Sequence, residues 1–329
     1  MENVDDGGPA NSEGKGQSSQ ILHPDVARVS LLLRDAGLIP PKEAGVTSVR
    51  AYLQRMTEII AARSVPLASE QLIDFLANGR HVPCKLYWPD SSYPPGLMFY
   101  CHGGGFRHGS LEGWDAPLRQ LVRESALAVL SIDYALAPER PFPAAFEEVV
   151  AIAKQVIGDG VIAERRVNRF AFGGDSAGAN LALGASVALR EDGVTPLEHL
   201  LLFYGVYSKN TTSGSWSRLS DFGGYGLSSN SMRRYWKSYL MHDEDDWRVQ
   251  PLYADLKGLP TTRLVVGNLD PLLDENIALQ RKLESFGVDS NLTVLPGVIH
   301  GVLRFNEVAE VVKDLLRVEG EALLRSFSK

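Results

Sequence analysis

Arg169-Phe170-Ala171-Phe172-Gly173-Gly174-Asp175-Ser176-Ala177-Gly178-Ala179-Asn180 is the stretch that decides the fold. It opens on a run apolar enough for a buried strand, and residues 177–190 that follow read as a helix. Between them Gly174-Asp175-Ser176-Ala177-Gly178 is a G-x-S-x-G pattern on a strand-to-helix turn. Such a turn pushes the serine hydroxyl out of the top of a sheet, and small flanking residues keep it free of clashes. The start of the helix then sets backbone N–H groups beside any negative charge that develops there. Ser176 is the candidate nucleophile.

The same alternation extends outward in both directions. Residues 71–75 and 82–88 predict a strand pair, with Asn78-Gly79 as its turn. Runs at 96–101, 128–133, 200–204, 263–266 and 292–295 are apolar enough for central strands. Helical patterns at 116–124, 144–157, 274–286 and 308–324 separate them. The fold class is therefore α/β, a doubly wound and mostly parallel sheet with an antiparallel start.

Two amphipathic helices precede the sheet. His23-Pro24-Asp25 opens the first, which carries Val26, Val29, Leu32 and Leu33 on one face before Gly37 and Pro40-Pro41 end it. Thr47-Ser48 can cap the second, whose apolar residues are Val49, Tyr52, Leu53, Met56, Ile59 and Ile60. Neither buries its apolar face alone, so both should lie over another surface. Residues 1–20, rich in Gly, Ser and Asn, are expected to be disordered. The segment at about 208–251 is a long aromatic insertion, with a helix over 231–241, and reads as a lid. The chain thus divides into a disordered 1–20, N-terminal cap helices in 21–65, and a catalytic domain over 66–329 that contains the insertion.

The composition is globular: 329 residues, 44% hydrophobic and 22% charged. A formal charge of −7 argues against general affinity for nucleic acid or anionic membrane. No apolar run approaches the ~18 residues of a membrane span. The N-terminal residues lack the apolar core of a secretory signal, so a cytoplasmic location is expected. Cys84 and Cys101 cannot build a disulfide framework and read as free buried thiols. Without secretion, the glycosylation patterns at Asn210 and Asn291 carry no meaning.

A serine hydroxyl needs a base, an orienting acid and donors for the oxyanion. His102-Gly103-Gly104-Gly105-Phe106 directly follows a strand, and its glycines let the backbone approach a substrate carbonyl. Gly103 and Gly104 N–H, with that of Ala177, are expected to form the oxyanion hole, and His102 to pin the loop. A phosphate-cradling reading fails because no G-x-x-x-x-G-K pattern exists. On this kind of turn the chain order is Ser, then acid, then His. Of seven histidines, His199, His242 and His300 follow Ser176. His199 sits at the wrong end of its strand, and His242 lies in an acidic part of the insertion. His300 follows the last strand, where strand C-termini meet the crevice. Asp270 follows the preceding strand and is the expected acid, while Asp274 reads as a helix N-terminal carboxylate. Trp216, Phe222, Tyr225 and Trp236 of the insertion, with Val29, Leu33 and Tyr52, are candidates for an apolar substrate wall. No metal-ligand spacing is present, and the chemistry needs neither metal nor organic cofactor.

Taken together, these motifs resemble the hormone-sensitive-lipase-like branch of the α/β-hydrolases, the bacterial family IV esterases. The residues that carry the resemblance are 102–106, 133–139, 141–145, 174–178, Asp270-Pro271-Leu272 with Asp274, and His300-Gly301. It implies an eight-stranded α/β-hydrolase sheet with a helical cap of two N-terminal helices and an insertion after the sixth strand. It implies hydrolysis of short- to medium-chain or aryl carboxylic esters, small-molecule substrates, through an acyl-enzyme. A homodimer is left open. The chain departs from the family at Ala135, where Arg is usual, at Arg140, where His is usual, and at Gln250-Pro251, where Ser-Pro is common. The first two bear on a local ion pair and the third on the pocket rim. Amide or lactone hydrolysis of the arylformamidase kind uses the same triad and is the alternative. A non-catalytic receptor of the gibberellin type would have lost the histidine that this chain keeps.

Overall fold

The computed structural model describes residues 21–39, 41, 45–60, 67, 69–90, 94–194, 197–220 and 227–328. Eight strands form the main sheet: β1 (Ser69–Ala77), β2 (Arg80–Trp88), β3 (Leu97–Cys101), β4 (Ala128–Ile132), β5 (Phe170–Asp175), β6 (Leu197–Phe203), β7 (Thr261–Gly267) and β8 (Ser290–Leu295). Their spatial order is β1-β2-β4-β3-β5-β6-β7-β8. The β1–β2 and β2–β4 pairs are antiparallel and every later pair is parallel. Asn78 and Gly79, both at positive φ, close the first hairpin as expected.

Parallel strands covered on both faces must be apolar on both, and β3, β4 and β5 are buried at every residue. Leu97, Phe99 and Cys101 face one apolar cluster, with α4 (Ala144–Asp159), α5 (Ala177–Glu191) and α8 (Leu273–Ser285). Met98 and Tyr100 face the other, with α3 (Asp115–Ser125) and α9 (Glu310–Phe327). Each such fully buried side chain contributes roughly 1.5–3 kcal/mol against chain entropy. Residues 292–295, read as a central strand, belong instead to the edge strand β8. It pairs with β7 alone, and its residues are half-buried or exposed.

Helix α1 (Pro24–Asp35) begins where expected, with His23 Nδ1 accepting from Asp25 N at 3.3 Å. Val26, Val29 and Leu33 are buried, but Leu32 is 38% exposed, because the stripe that meets the core is i, i+3, i+7. Helix α2 (Val46–Ile60) starts before Thr47-Ser48, so this pair lies in its first turn and is not the cap. Both helices join the cluster that holds Trp114, Leu118 and Val298.

After β6 the chain forms α6 (Gly214–Leu219), a helix too short to show periodicity in sequence, and then α7 (Ser229–Tyr239). A reciprocal pair of bonds between Ser228 and Ser231, at 3.1 and 3.0 Å, caps α7. The expectations for residues 1–20, Phe222 and Tyr225 lie outside the described residues. Among the described residues, no helix is long and apolar enough to cross a membrane.

Candidate active site

Ser176 sits between β5 and α5 with φ at 54°, a conformation that costs energy for a residue with a side chain. The glycines around it are needed for space. A Cβ on Gly178 would fall 1.9 Å from the Cys101 carbonyl oxygen, and one on Gly174 2.4 Å from that of Gly178. The strained turn is held by Ser176 N–H donating to the Phe203 carbonyl at 2.9 Å.

Ser176 Oγ lies 2.9 Å from His300 Nε2, and His300 Nδ1 lies 2.8 Å from Asp270 Oδ2. Asp270 is fully buried, and its Oδ1 accepts from Leu272 N–H at 2.9 Å. The ring of His300 meets Tyr204 edge-on at 5.0 Å. A hydroxyl, an imidazole and a carboxylate in line can move a proton from serine to histidine while the imidazolium is stabilised. His199 is buried far from this line, at the start of β6. Asp274 lies in the first turn of α8, as expected of a helix N-terminal carboxylate, and also reaches a second helix. Its Oδ2 accepts from Ser215 N–H at 2.7 Å, tying α8 to the first turn of α6.

The oxyanion loop differs from the sequence expectation at one residue. Gly103 N–H already donates to Asp175 Oδ1 at 2.8 Å, so it is not available to an oxyanion. Asp175 also accepts from Tyr100 Oη at 3.1 Å and Tyr204 Oη at 3.3 Å. Burial pushes its carboxyl up to about 6, against the hydrogen bonds from Gly103 and Tyr100. The N–H groups of Gly104, Gly105 and Ala177 have no acceptor among the described residues. The sequence pattern could not separate the three glycines, since the partner of Gly103 comes from a strand 72 residues later.

His102 pins the loop, as expected: Nδ1 stands 2.8 Å from the Gly103 carbonyl, and the ring stacks on Tyr134 at 4.4 Å. Burial pulls its pKa down to about 4, leaving it neutral. Phe106 stacks on Tyr239 at 3.9 Å and tilts against Trp236 at 5.4 Å, locking α7 to the oxyanion loop. Trp236 and Trp216 are 7% and 2% exposed within the core cluster. They offer a ligand little surface, and Val29 and Leu33 are likewise core residues; Tyr52 is half-buried. Tyr235, which sequence reasoning passed over, lies against the loop itself, since a Cβ on Gly105 would fall 2.5 Å from its ring.

The departure at Ala135 and Arg140 is compensated from another strand. The fully buried Glu148 takes two bonds from Arg80 of β2, at 2.8 and 2.9 Å, and accepts from Ala135 N–H at 2.7 Å. Arg140 stands 3.7 Å away as a second cation.

Residues 98–304 match the model of a family described as having the alpha/beta hydrolase fold. An acetyl esterase of Salmonella choleraesuis is 31% identical over 249 residues, which cover 72% of this chain and 74% of that protein. The solved Pyrobaculum calidifontis esterase superposes with a TM-score of 0.84 at 27% identity, covering 92% of this chain and 98% of its own. An esterase from the bacterial hormone-sensitive lipase family gives 0.79 at 28% identity, with 93% and 99% covered. With the serine turn, the glycine loop and the histidine loop all inside the matched residues, the chain belongs to the α/β-hydrolase family, in its hormone-sensitive-lipase-like branch.

Proposed function

We propose that this protein is a serine carboxylesterase that hydrolyses small carboxylic esters through an acyl-enzyme. The observation that carries the reading is the unbroken line from Ser176 Oγ through His300 to Asp270, at 2.9 and 2.8 Å. His300 Nε2 takes the serine proton as Oγ attacks the carbonyl carbon, and returns it to the departing alcohol. Water then attacks the acyl-enzyme, with His300 again acting as base. Asp270 holds the imidazole tautomer and stabilises the imidazolium. The N–H groups of Gly104, Gly105 and Ala177 receive the oxyanion, while Gly103 anchors their loop to Asp175.

Helices α1 and α2, with α6 and α7, act as the cap over this site. The stacking of Phe106 on Tyr239 supports that role for α7. Short- to medium-chain acyl or aryl esters are the substrate class, in keeping with the acetyl esterase named among the relatives. Cys84 and Cys101 are free and buried, which fits a reducing cytoplasm. Turnover of p-nitrophenyl esters of graded chain length, beside N-formyl aryl amides, tests the reading. Ester rates that exceed amide rates and fall at long chains support it; a preference for the amides would overturn it in favour of the formamidase alternative.

A further inference from the structure

The chain carries a formal charge of −7, yet arginines gather beside the oxyanion loop. Arg107, in the turn after the loop, feels Arg50 of α2 and Arg234 of α7 as well as Tyr235. Arg304, one short turn beyond His300, acts on His108 and Tyr235 as well. Of these, Arg50 is neutralised by Glu139 through two bonds, at 2.7 and 2.9 Å.

Arg107 and Arg304 have no such partner among the described residues. Arg107 is 8% exposed, and its buried Nε makes no hydrogen bond. The half-buried Arg304 stands with its guanidinium carbon 5.0 Å over the Trp114 ring. Glu112 shares a shallow cleft with Arg304 but makes no ion pair with it. Asp175, the other carboxylate within its reach, is occupied by Gly103, Tyr100 and Tyr204. Burial lowers the pKa of both guanidinium groups, in keeping with cations partly withdrawn from water with no carboxylate paired to them.

Their placement gives that cost a use. Arg107 is fixed to the oxyanion loop, its N–H donating to the Gly104 carbonyl at 3.2 Å, and Arg304 is fixed to the segment of His300. Tyr235, which lies against Gly105, feels both. A substrate whose carbonyl rests on Gly104 and Gly105 would run its remote end past Tyr235 toward these two cations. Guanidinium groups match carboxylates in geometry, and desolvated ones hold them firmly.

We propose that Arg107 and Arg304 form an anion subsite of the active site, so that the preferred esters carry a carboxylate a few bonds from the scissile carbonyl. The proposal rests on the esterase reading above and narrows its substrate class.

Two matched pairs test it by pH-stat: methyl butyrate against monomethyl succinate, and phenyl acetate against 3-carboxyphenyl acetate. The readout is the ratio of kcat/KM for the anionic ester to that for its neutral match. Because each ratio is taken within one protein sample, partial loss of folded enzyme cancels. The wild type should favour the anionic member of at least one pair. Arg304→Met and Arg107→Met should each lower that ratio about tenfold or more, and Arg304→Lys should keep part of it. Ratios within about twofold of wild type in both Met variants, or a wild-type preference for the neutral member of both pairs, would overturn the subsite alone. No turnover of any of the four esters by wild type would overturn the esterase reading and the subsite with it.

Discussion

The Gly103 N–H donates to Oδ1 of Asp175 at 2.8 Å, so the residue just before the nucleophile also sets the position of the oxyanion loop. In the proposed mechanism, one strand end thereby fixes both the attacking group and the donors that receive the charge. Asp175→Ala removes the anchor, and the loop donors then lose their aim. Turnover of p-nitrophenyl acetate should fall about a hundredfold, the scale of losing an oxyanion donor, with the change in kcat and little in KM. Asp175→Asn keeps an acceptor for Gly103 and should retain more of the rate than Ala. An Ala variant with wild-type kcat would contradict the anchoring role.

The two carboxylates after β7 should separate cleanly. Asp270→Asn leaves the ring of His300 in place but favours the wrong tautomer. Turnover should drop on the order of ten-thousand-fold, as it does when the same change is made in a serine-protease triad. Asp274→Asn weakens one bond to Ser215 N–H and should cost about 1 kcal/mol of stability with most activity kept. Steady-state rates and melting temperatures of both variants decide between this assignment and its reverse.

Glu275 gives a pH signature. Burial raises its carboxyl to about 8, against the hydrogen bond from Tyr207 N–H at 2.6 Å. The folded state therefore holds this proton between the ordinary glutamate value of 4.5 and about 8, while the unfolded chain has lost it. Stability from this group is full below the unfolded value and declines as pH rises through that window, by on the order of 5 kcal/mol. Glu275→Gln keeps the acceptor and cannot ionise. Urea unfolding at pH 5 and pH 9 should show the variant gaining on wild type at the higher pH. An equal difference at both pH values would contradict the buried, protonated acid.

Much of this was readable in the sequence because the physics is local or periodic. Strands buried on both faces must be largely apolar, so β3, most of β4 and the Phe170–Phe172 start of β5 stand out in sequence. The serine turn declares itself through glycines that no side chain could replace, and chain order then selects His300 and Asp270. Features that depend on distant partners did not declare themselves. Gly103 looked like its two neighbours until Asp175 met it across the sheet. Thr47-Ser48 had the composition of a cap, yet α2 begins at Val46. The loss of Arg at 135 looked like a missing ion pair, and Arg80 from β2 supplies it. Tyr235 gained its place only when α7 folded onto Gly105.

Helix α1 braces the histidine loop. His23 N–H donates to the Gly297 carbonyl at 2.8 Å, and Asp25 Oδ2 accepts from Val311 N–H at 3.0 Å. Deleting residues 1–45 removes these bonds and three buried side chains, Val26, Val29 and Leu33. The truncated protein should melt several degrees lower, as expected for a loss of about 2 kcal/mol or more, and its kcat should fall. Unchanged melting temperature and rate would show that α1 contributes nothing to the site.

Acyl transfer by Ser176 is the step on which everything else rests, and one experiment on two proteins tests it most directly. Wild type and Ser176→Ala are each incubated with a fluorophosphonate, and the labelled peptide is identified by mass spectrometry alongside p-nitrophenyl acetate turnover. The expected result is a single adduct on Ser176 in the wild type, none in the variant, and a rate loss on the order of a million-fold with the fold intact by circular dichroism. Labelling at another residue, or near-wild-type turnover in the folded Ala variant, would contradict it.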